Sequence, residues 1–234
     1  MKMPVGVLSA LLLAALCLLE LDSHGQDNFA RVARIFGRDI YESDLNPTDD
    51  ELKMLKRVEE KMKSSQRRDV SDEQLISEVR SKKLADLIWT PIIDKFDRTH
   101  DVEPTKAEVE DYTRSMNAIM KGTNIPPPPE EPKLSASMER EVAKMLEEFH
   151  KDFVRNWKRS KALYEEYGGI VIFQQFNPME PVGALRKLLE NHEAKGDFEI
   201  YDEELKRQFW KYYLQDHRAL RDVDYSKPWW EKTR

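Results

Sequence analysis

Apolar residues recur at steps of three and four along most of this chain, and three of the segments that carry the pattern open on the same device. Thr48-Asp49-Asp50-Glu51, Ser71-Asp72-Glu73-Gln74 and Thr105-Lys106-Ala107-Glu108 each set a hydroxyl three residues before a Glu or Gln. In such a capping box the hydroxyl accepts a bond from a free amide at the helix start, and the longer side chain reaches back to accept another. After the first box, Leu52, Leu55, Val58 and Met62 fall on one helical face. After the second come Leu75, Ile76, Val79, Leu84, Leu87 and Ile88, with Ile92, Ile93 and Phe96 beyond Pro91. Proline lacks an amide hydrogen and crowds the preceding turn, so a kink or break is expected near Thr90. After the third, Val109, Tyr112, Met116 and Met120 keep helical spacing, with Gly122 as a stop.

The longest predicted helix runs from about Ser137 to Tyr167, where Met138, Val142, Met145, Leu146, Phe149, Phe153 and Trp157 step by three and four. Gly168-Gly169 ends it. Ile170 to Gln175 reads as a short strand, and Pro181 can open a helix that reaches Lys195 with Gly196 beyond its end. Asp202 can cap a last helix carrying Leu205, Phe209, Trp210, Tyr213 and Leu214. Near the start, Val32, Ile35, Phe36, Ile40 and Tyr41 are strand formers interrupted at Gly37-Arg38-Asp39, the layout of a short hairpin or a strand and turn. The expected class is mainly α, with a short N-terminal β-hairpin and a long helix in the C-terminal half. Pro126 to Pro129 predicts an extended, semi-rigid loop.

The first residues address the chain. Met1-Lys2 is a charged start, Val5 to Leu19 is an apolar run, and Ser23-His24-Gly25 offers small residues before Gln26. That is the layout of a secretory signal peptide cut between Gly25 and Gln26. The run falls short of the roughly 20 residues of a membrane span, so the mature protein is expected in the periplasm or secreted, without a span. The alternative is an uncleaved N-terminal anchor. Leu16 before Cys17 is bulky where a lipoprotein site wants a small residue. Cleavage removes Cys17, the one cysteine, and with it any disulfide, nucleophilic thiol or thiolate metal site.

Composition narrows the classes further. Residues 26–234 carry a net charge of about −5 by simple count, and no basic stripe interrupts them, which argues against a nucleic-acid partner. A 35% share of charged residues with only eight glycines fits long, solvated helices better than a β-sandwich or a Gly-rich nucleotide fold.

The search for chemistry mostly fails. The five histidines show no metal-binding spacing, and His150 near Glu147 reads as a helix-surface histidine. There is no nucleophile elbow and no phosphate loop. The 44 carboxylates include Glu130-Glu131, Glu147-Glu148 and Glu203-Glu204, which read as solvated charges. No catalytic residue, cofactor or metal is therefore assigned. Met116, Met120, Phe149, Phe153 and Trp157 are the candidate binding residues, because Met-rich and aromatic surfaces adapt to varied apolar partners. Their plainer role is helical core, and a binding groove would be the part of that stripe left uncovered.

Val32 to Leu45 resembles the opening of the SurA-type periplasmic chaperones and parvulin-like peptidyl-prolyl isomerases: strand, Gly turn, second short strand, then an acidic and an apolar residue. Lys83 to Phe96 is similar to that family's buried helix, and Val102 to Val109 to its link and capped helix start. The resemblance implies a helical chaperone module over residues 26–170 that cradles unfolded or exported polypeptides. Residues 171–234 would be a helical extension of unassigned role. No parvulin domain follows, so binding without catalysis is the first expectation. The alternatives are an isomerase with a reduced catalytic part, and an assembly subunit that docks through the tail containing Pro228-Trp229-Trp230.

Overall fold

A computed structural model describes residues 30–63, 71–122, 135–175 and 177–232. The expected signal segment, with Gly25 and Gln26, and the extended loop expected at Pro126 to Pro129 lie outside the described residues. The chain is mainly helical with a small N-terminal antiparallel sheet. It divides into two compact units. One comprises the residues up to Ile88 together with Gly196–Phe209; the other comprises Trp89–Lys195 with Trp210–Arg234. The division does not follow the chain, and residues 171–234 contribute to both units.

The first unit is built on a hairpin of β1 (Arg31–Ile35) and β2 (Arg38–Tyr41). The turn is Phe36-Gly37, one residue earlier than the expected interruption, and Arg38 and Asp39 are strand residues. Both turn residues have positive φ, 48° and 80°, as a two-residue turn needs if it is to match the right-handed twist of the strands. Glycine adopts this freely; Phe36 is held there by its amide, which donates to the Asp197 carbonyl at 2.6 Å. β5 (Phe198–Ile200) adds to the other edge of β1, in the order β2-β1-β5, and all pairs are antiparallel. Ala33, Ile35, Ile40, Phe198 and Ile200 are buried.

The helices of this unit begin as their caps dictate. α1 is the single turn Glu42–Leu45 and α2 spans Asp49–Lys63. The Thr48 amide donates to Glu51 Oε2 at 2.7 Å and the Glu51 amide to Thr48 Oγ1 at 3.2 Å. That backbone bond, with Lys83 Nζ at 2.9 Å, holds the Glu51 carboxyl down to about 2. Among the described side chains of α2, Leu52 and Leu55 are half-buried and Val58 is exposed. α3 spans Asp72–Thr99, its cap completed by reciprocal bonds between Ser71 and Gln74 at 3.1 and 3.2 Å. Pro91 does not break it, and the helix continues for two further turns. The apolar residues on either side of Pro91 explain this, since Ile88, Ile92, Ile93 and Phe96 are all buried. Their burial outweighs the roughly 3 kcal/mol that an interior proline costs. Leu87, expected on the buried face, is exposed.

The second unit centres on α4 (Lys106–Gly122) and α5 (Ala136–Tyr167). α4 starts at the Thr105–Glu108 box, with bonds of 2.7 and 3.3 Å. α5 starts at Ser135, whose hydroxyl accepts from the Met138 amide at 3.3 Å. It ends at Gly168, φ 61°, whose amide donates to the Tyr164 carbonyl at 2.8 Å. β3 (Ile172–Gln174) and β4 (Asn177–Glu180) form a two-stranded ribbon. α6 (Val182–Ala194) follows Pro181 as expected. Gly169 and Gly183 approach so closely that a Cβ on Gly183 would meet the Ile170 amide nitrogen at 2.5 Å. α7 (Glu203–Leu214) is capped by Asp202, whose carboxylate accepts from the Leu205 amide at 2.8 Å. The unit boundary falls inside α3 and α7.

The tail belongs to the second unit's core. The Leu220 amide donates to the Val171 carbonyl at 2.8 Å, and Tyr225 Oη to the Met179 carbonyl at 2.6 Å. α8 (Trp229–Lys232) places Trp230, 2% exposed, against Val109, Tyr112 and Val154. Among the described residues no helix is long and apolar enough to cross a membrane.

Candidate functional site

α4 and α5 run antiparallel, because their partners descend along one helix as they ascend the other. Lys158 pairs with Glu108 at 3.4 Å, and Thr113 Oγ1 meets His150 Nδ1 at 2.8 Å. Near the C-terminal part of α5, Arg155 forks onto both carboxylate oxygens of Glu103 at 3.1 Å. Lys158 Nζ donates to the Glu103 carbonyl at 2.9 Å. Arg159 grips Asp97 through Nε at 2.7 Å and Nη2 at 2.5 Å. Paired forks of this kind fix direction as well as distance, so this end of α5 is held firmly in the unit.

The other end of α5 is different. Every residue from Ser135 to Phe149 is exposed. That stretch includes Met138, Val142, Met145, Leu146 and Phe149, with Met145 67% exposed. At about 100° of rotation per residue, Met138, Val142, Met145 and Phe149 share one narrow sector, about 60° wide. Leu146, Phe153 and Trp157 lie in the next sector, which turns toward α4 and the core. The apolar face of α5 is thus wider than α4 covers, and one strip of it stays in water.

That strip is continuous with the core. Phe149 lies edge-on to Phe153 with centroids 4.7 Å apart, Phe153 stacks on Tyr112 at 5.6 Å, and Tyr112 meets Trp230 edge-on at 5.0 Å. Trp157 closes the chain of rings against Trp230 at 5.6 Å. The five candidate residues therefore separate. Met116, Phe153 and Trp157 are half-buried and pack on the core cluster, while Met120 and Phe149, 56% and 48% exposed, face solvent. Met138, Val142 and Met145 were not among the candidates. Their steps of four and three, with four more to Phe149, in a helix nearly twice the length of its α4 partner were the available signal.

On the seam between the helices lies a cleft of about 800 Å³. Its walls include Val109 and Leu146, with charges at the mouth from Lys106, Glu110, Arg114 and Lys151. His150 closes part of its floor, edge-on to Tyr112 at 5.2 Å. Burial pushes its imidazole below the usual histidine range. It is a seam residue bonded to Thr113, not the surface histidine expected. Glu147 pairs instead with Lys151 at 3.7 Å.

A smaller, polar cleft of about 550 Å³ lies where α5 meets the β3–β4 ribbon and α6. Asn177 Nδ2 donates to the buried Ser160 Oγ at 3.1 Å, and Tyr212 Oη to Glu180 Oε2 at 2.8 Å. Burial raises the Glu180 carboxyl above its ordinary range, against the Tyr212 bond that lowers it. Asn156 and Asp97 occupy the Arg159 guanidinium, so this cleft presents no free cation from Arg159 to a ligand.

No family model, curated protein or solved structure matches the chain.

Proposed function

We propose that this protein is an extracytoplasmic, SurA-type chaperone module that holds unfolded or exported polypeptides on the α4–α5 pair, without a catalytic step of its own. The observation that carries the reading is the solvent-facing strip Met138, Val142, Met145 and Phe149, joined through ring contacts to the core. An exposed apolar strip of this kind marks a surface that binds other chains. Methionine suits it, because its flexible thioether adapts to side chains of different shape. The firm attachment of the far end of α5 supports the same reading, since it keeps the strip in place while clients come and go. The likeness of residues 32–45 to the SurA-type opening supports the family, and the layout of residues 1–25 supports export.

The test is suppression of aggregation. The purified mature protein should slow aggregation of a chemically unfolded exported protein at stoichiometric ratios, without ATP. The double variant Val142→Asp/Met145→Asp should lose this effect while keeping its melting temperature, since both positions are exposed. Equal suppression by the variant would sink the assignment of the strip. Acceleration of prolyl isomerisation in a short peptide would replace the non-catalytic reading with an enzymatic one.

A further inference from the structure

The strip is bordered by charge of one sign. On the shoulder away from α4, the same helical rotation places Glu141, Glu148 and Asp152 in one row beside Met138, Val142, Met145 and Phe149. On the shoulder toward α4, Glu139 occupies the equivalent border. The cations of this stretch, Arg140, Lys144 and Lys151, lie farther round the helix from the strip, with Lys151 at the mouth of the α4–α5 cleft and Lys144 one turn before Glu148. Lys151 reaches back to Glu148 at 2.9 Å, and Arg155 to Asp152 at 2.5 Å. Both carboxylates are more than half exposed, so they can exchange these partners for a cation on an incoming chain.

The strip also has a period. Steps of four, three and four are the spacing of a helix seam that takes another helix, and the charges at its borders choose the partner. A second copy of this chain fits badly. Two α5 helices packed antiparallel along this seam would set Glu141 and Glu148 of one against the same acidic shoulder of the other. Packed parallel, each Glu would face an apolar residue such as Leu146 instead of a cation.

We infer that the seam takes an amphipathic helical segment of a client whose apolar face is flanked by Lys or Arg. This inference rests on the reading of the α4–α5 pair as a polypeptide-binding surface and names the class of segment it prefers. Opposite charges at the borders add orientation and partner choice to an apolar contact that is otherwise unselective.

The experiment compares three synthetic peptides about 18 residues long, five helical turns. One has a Leu/Ala face flanked by lysines, the second has glutamates in place of the lysines, and the third scrambles the lysine peptide so that it has no face. Binding to the mature protein is followed by fluorescence anisotropy at low and high salt, and peptide helicity by circular dichroism. The lysine peptide should bind roughly tenfold or more tighter than the glutamate peptide, as charge reversal at a seam implies, and gain helix on binding. The preference should shrink with salt and invert in the Glu141→Lys/Glu148→Lys variant, whose melting temperature is checked in parallel.

Equal binding of lysine and glutamate peptides, or of lysine and scrambled peptides, would overturn the inference. So would a concentration-dependent dimer that Met145→Asp disrupts while no peptide binds, because a second copy would then cover the seam. If no peptide binds yet client aggregation is still suppressed, the inference falls and the chaperone reading stands. If aggregation is not suppressed either, both fall.

Discussion

Phe149 and Phe153 sit one turn apart on α5 with rings edge-on at 4.7 Å, yet they belong to different environments. Phe153 packs on the cluster of Val109, Tyr112, Val154 and Trp230, while Phe149 keeps about half of its surface in water. The two positions should therefore answer differently to truncation. Phe153→Ala removes a core aromatic and should cost about 2–4 kcal/mol, toward the low end of the range for buried rings because Phe153 is only half-buried. Phe149→Ala should cost about 1 kcal/mol or less, chiefly the edge-to-face contact, but on the proposed chaperone reading it should weaken the suppression of aggregation. Chemical denaturation of the two variants checks the first statement, and the aggregation assay the second. Equal losses of stability would place Phe149 in the core.

Local chemistry made much of this fold legible. All three capping boxes form, and Asp202 caps its helix, because an unbonded amide at a helix start needs an acceptor wherever the helix lies. The long helix and its Gly168-Gly169 stop follow from periodicity and positive φ. What failed were features decided at a distance. The turn moved to Phe36 because the Asp197 carbonyl, far along the chain, holds that amide. β5 is three residues long and became a strand only because β1 offered an edge. Pro91 stayed inside a helix because the apolar residues on either side of it are buried. The candidate site was half legible: periodicity marked the stripe on α5, but spacing alone could not say which sector α4 and Trp230 would cover.

Gly183 carries a requirement that no pattern announced. A methyl group there would meet backbone of Gly169 and Ile170, the nearest atom at 2.5 Å. Backbone atoms cannot rotate aside as a flexible side chain can, so Gly183→Ala must push the start of α6 away from the end of α5. The expected cost is about 1–3 kcal/mol, the usual range for overpacking. Gly196→Ala is a useful contrast: nothing lies near its Cβ position, and only its φ of 76° opposes the change. That substitution should cost about 1–2 kcal/mol through conformation alone. A Gly183→Ala protein as stable as the parent would show that the two backbones separate easily.

The tail should prove structural. Trp230 is buried among Val109, Tyr112 and Val154, and Tyr225 Oη holds the Met179 carbonyl. Trp230→Ala should cost about 3–5 kcal/mol, the range for a buried aromatic, and should lower the melting temperature of the protein. If the tail served to dock on a separate partner, the same change would leave stability intact and abolish only that contact. Thermal unfolding followed by near-ultraviolet circular dichroism separates the outcomes, since Trp230 meets the rings of both Tyr112 and Trp157.

His150 gives the seam between α4 and α5 a pH dependence whose sign can be worked out. Burial lowers its pKa in the folded protein, while in the unfolded chain it titrates near the ordinary value of about 6.5. Above that value both states hold a neutral imidazole, and stability is complete. As the pH falls through it, the unfolded chain takes up the proton first, so acidification favours unfolding until the folded pKa is passed. Protonation in the folded state would also bring a cation beside Lys151 at the cleft mouth. Unfolding free energy should therefore decline as the pH falls below about 7, and His150→Gln, which cannot titrate, should flatten that decline. The measurement is a series of denaturant curves across this range for both proteins. Parallel slopes would mean that another group governs the response, and the seam would then be insensitive to the charge of His150.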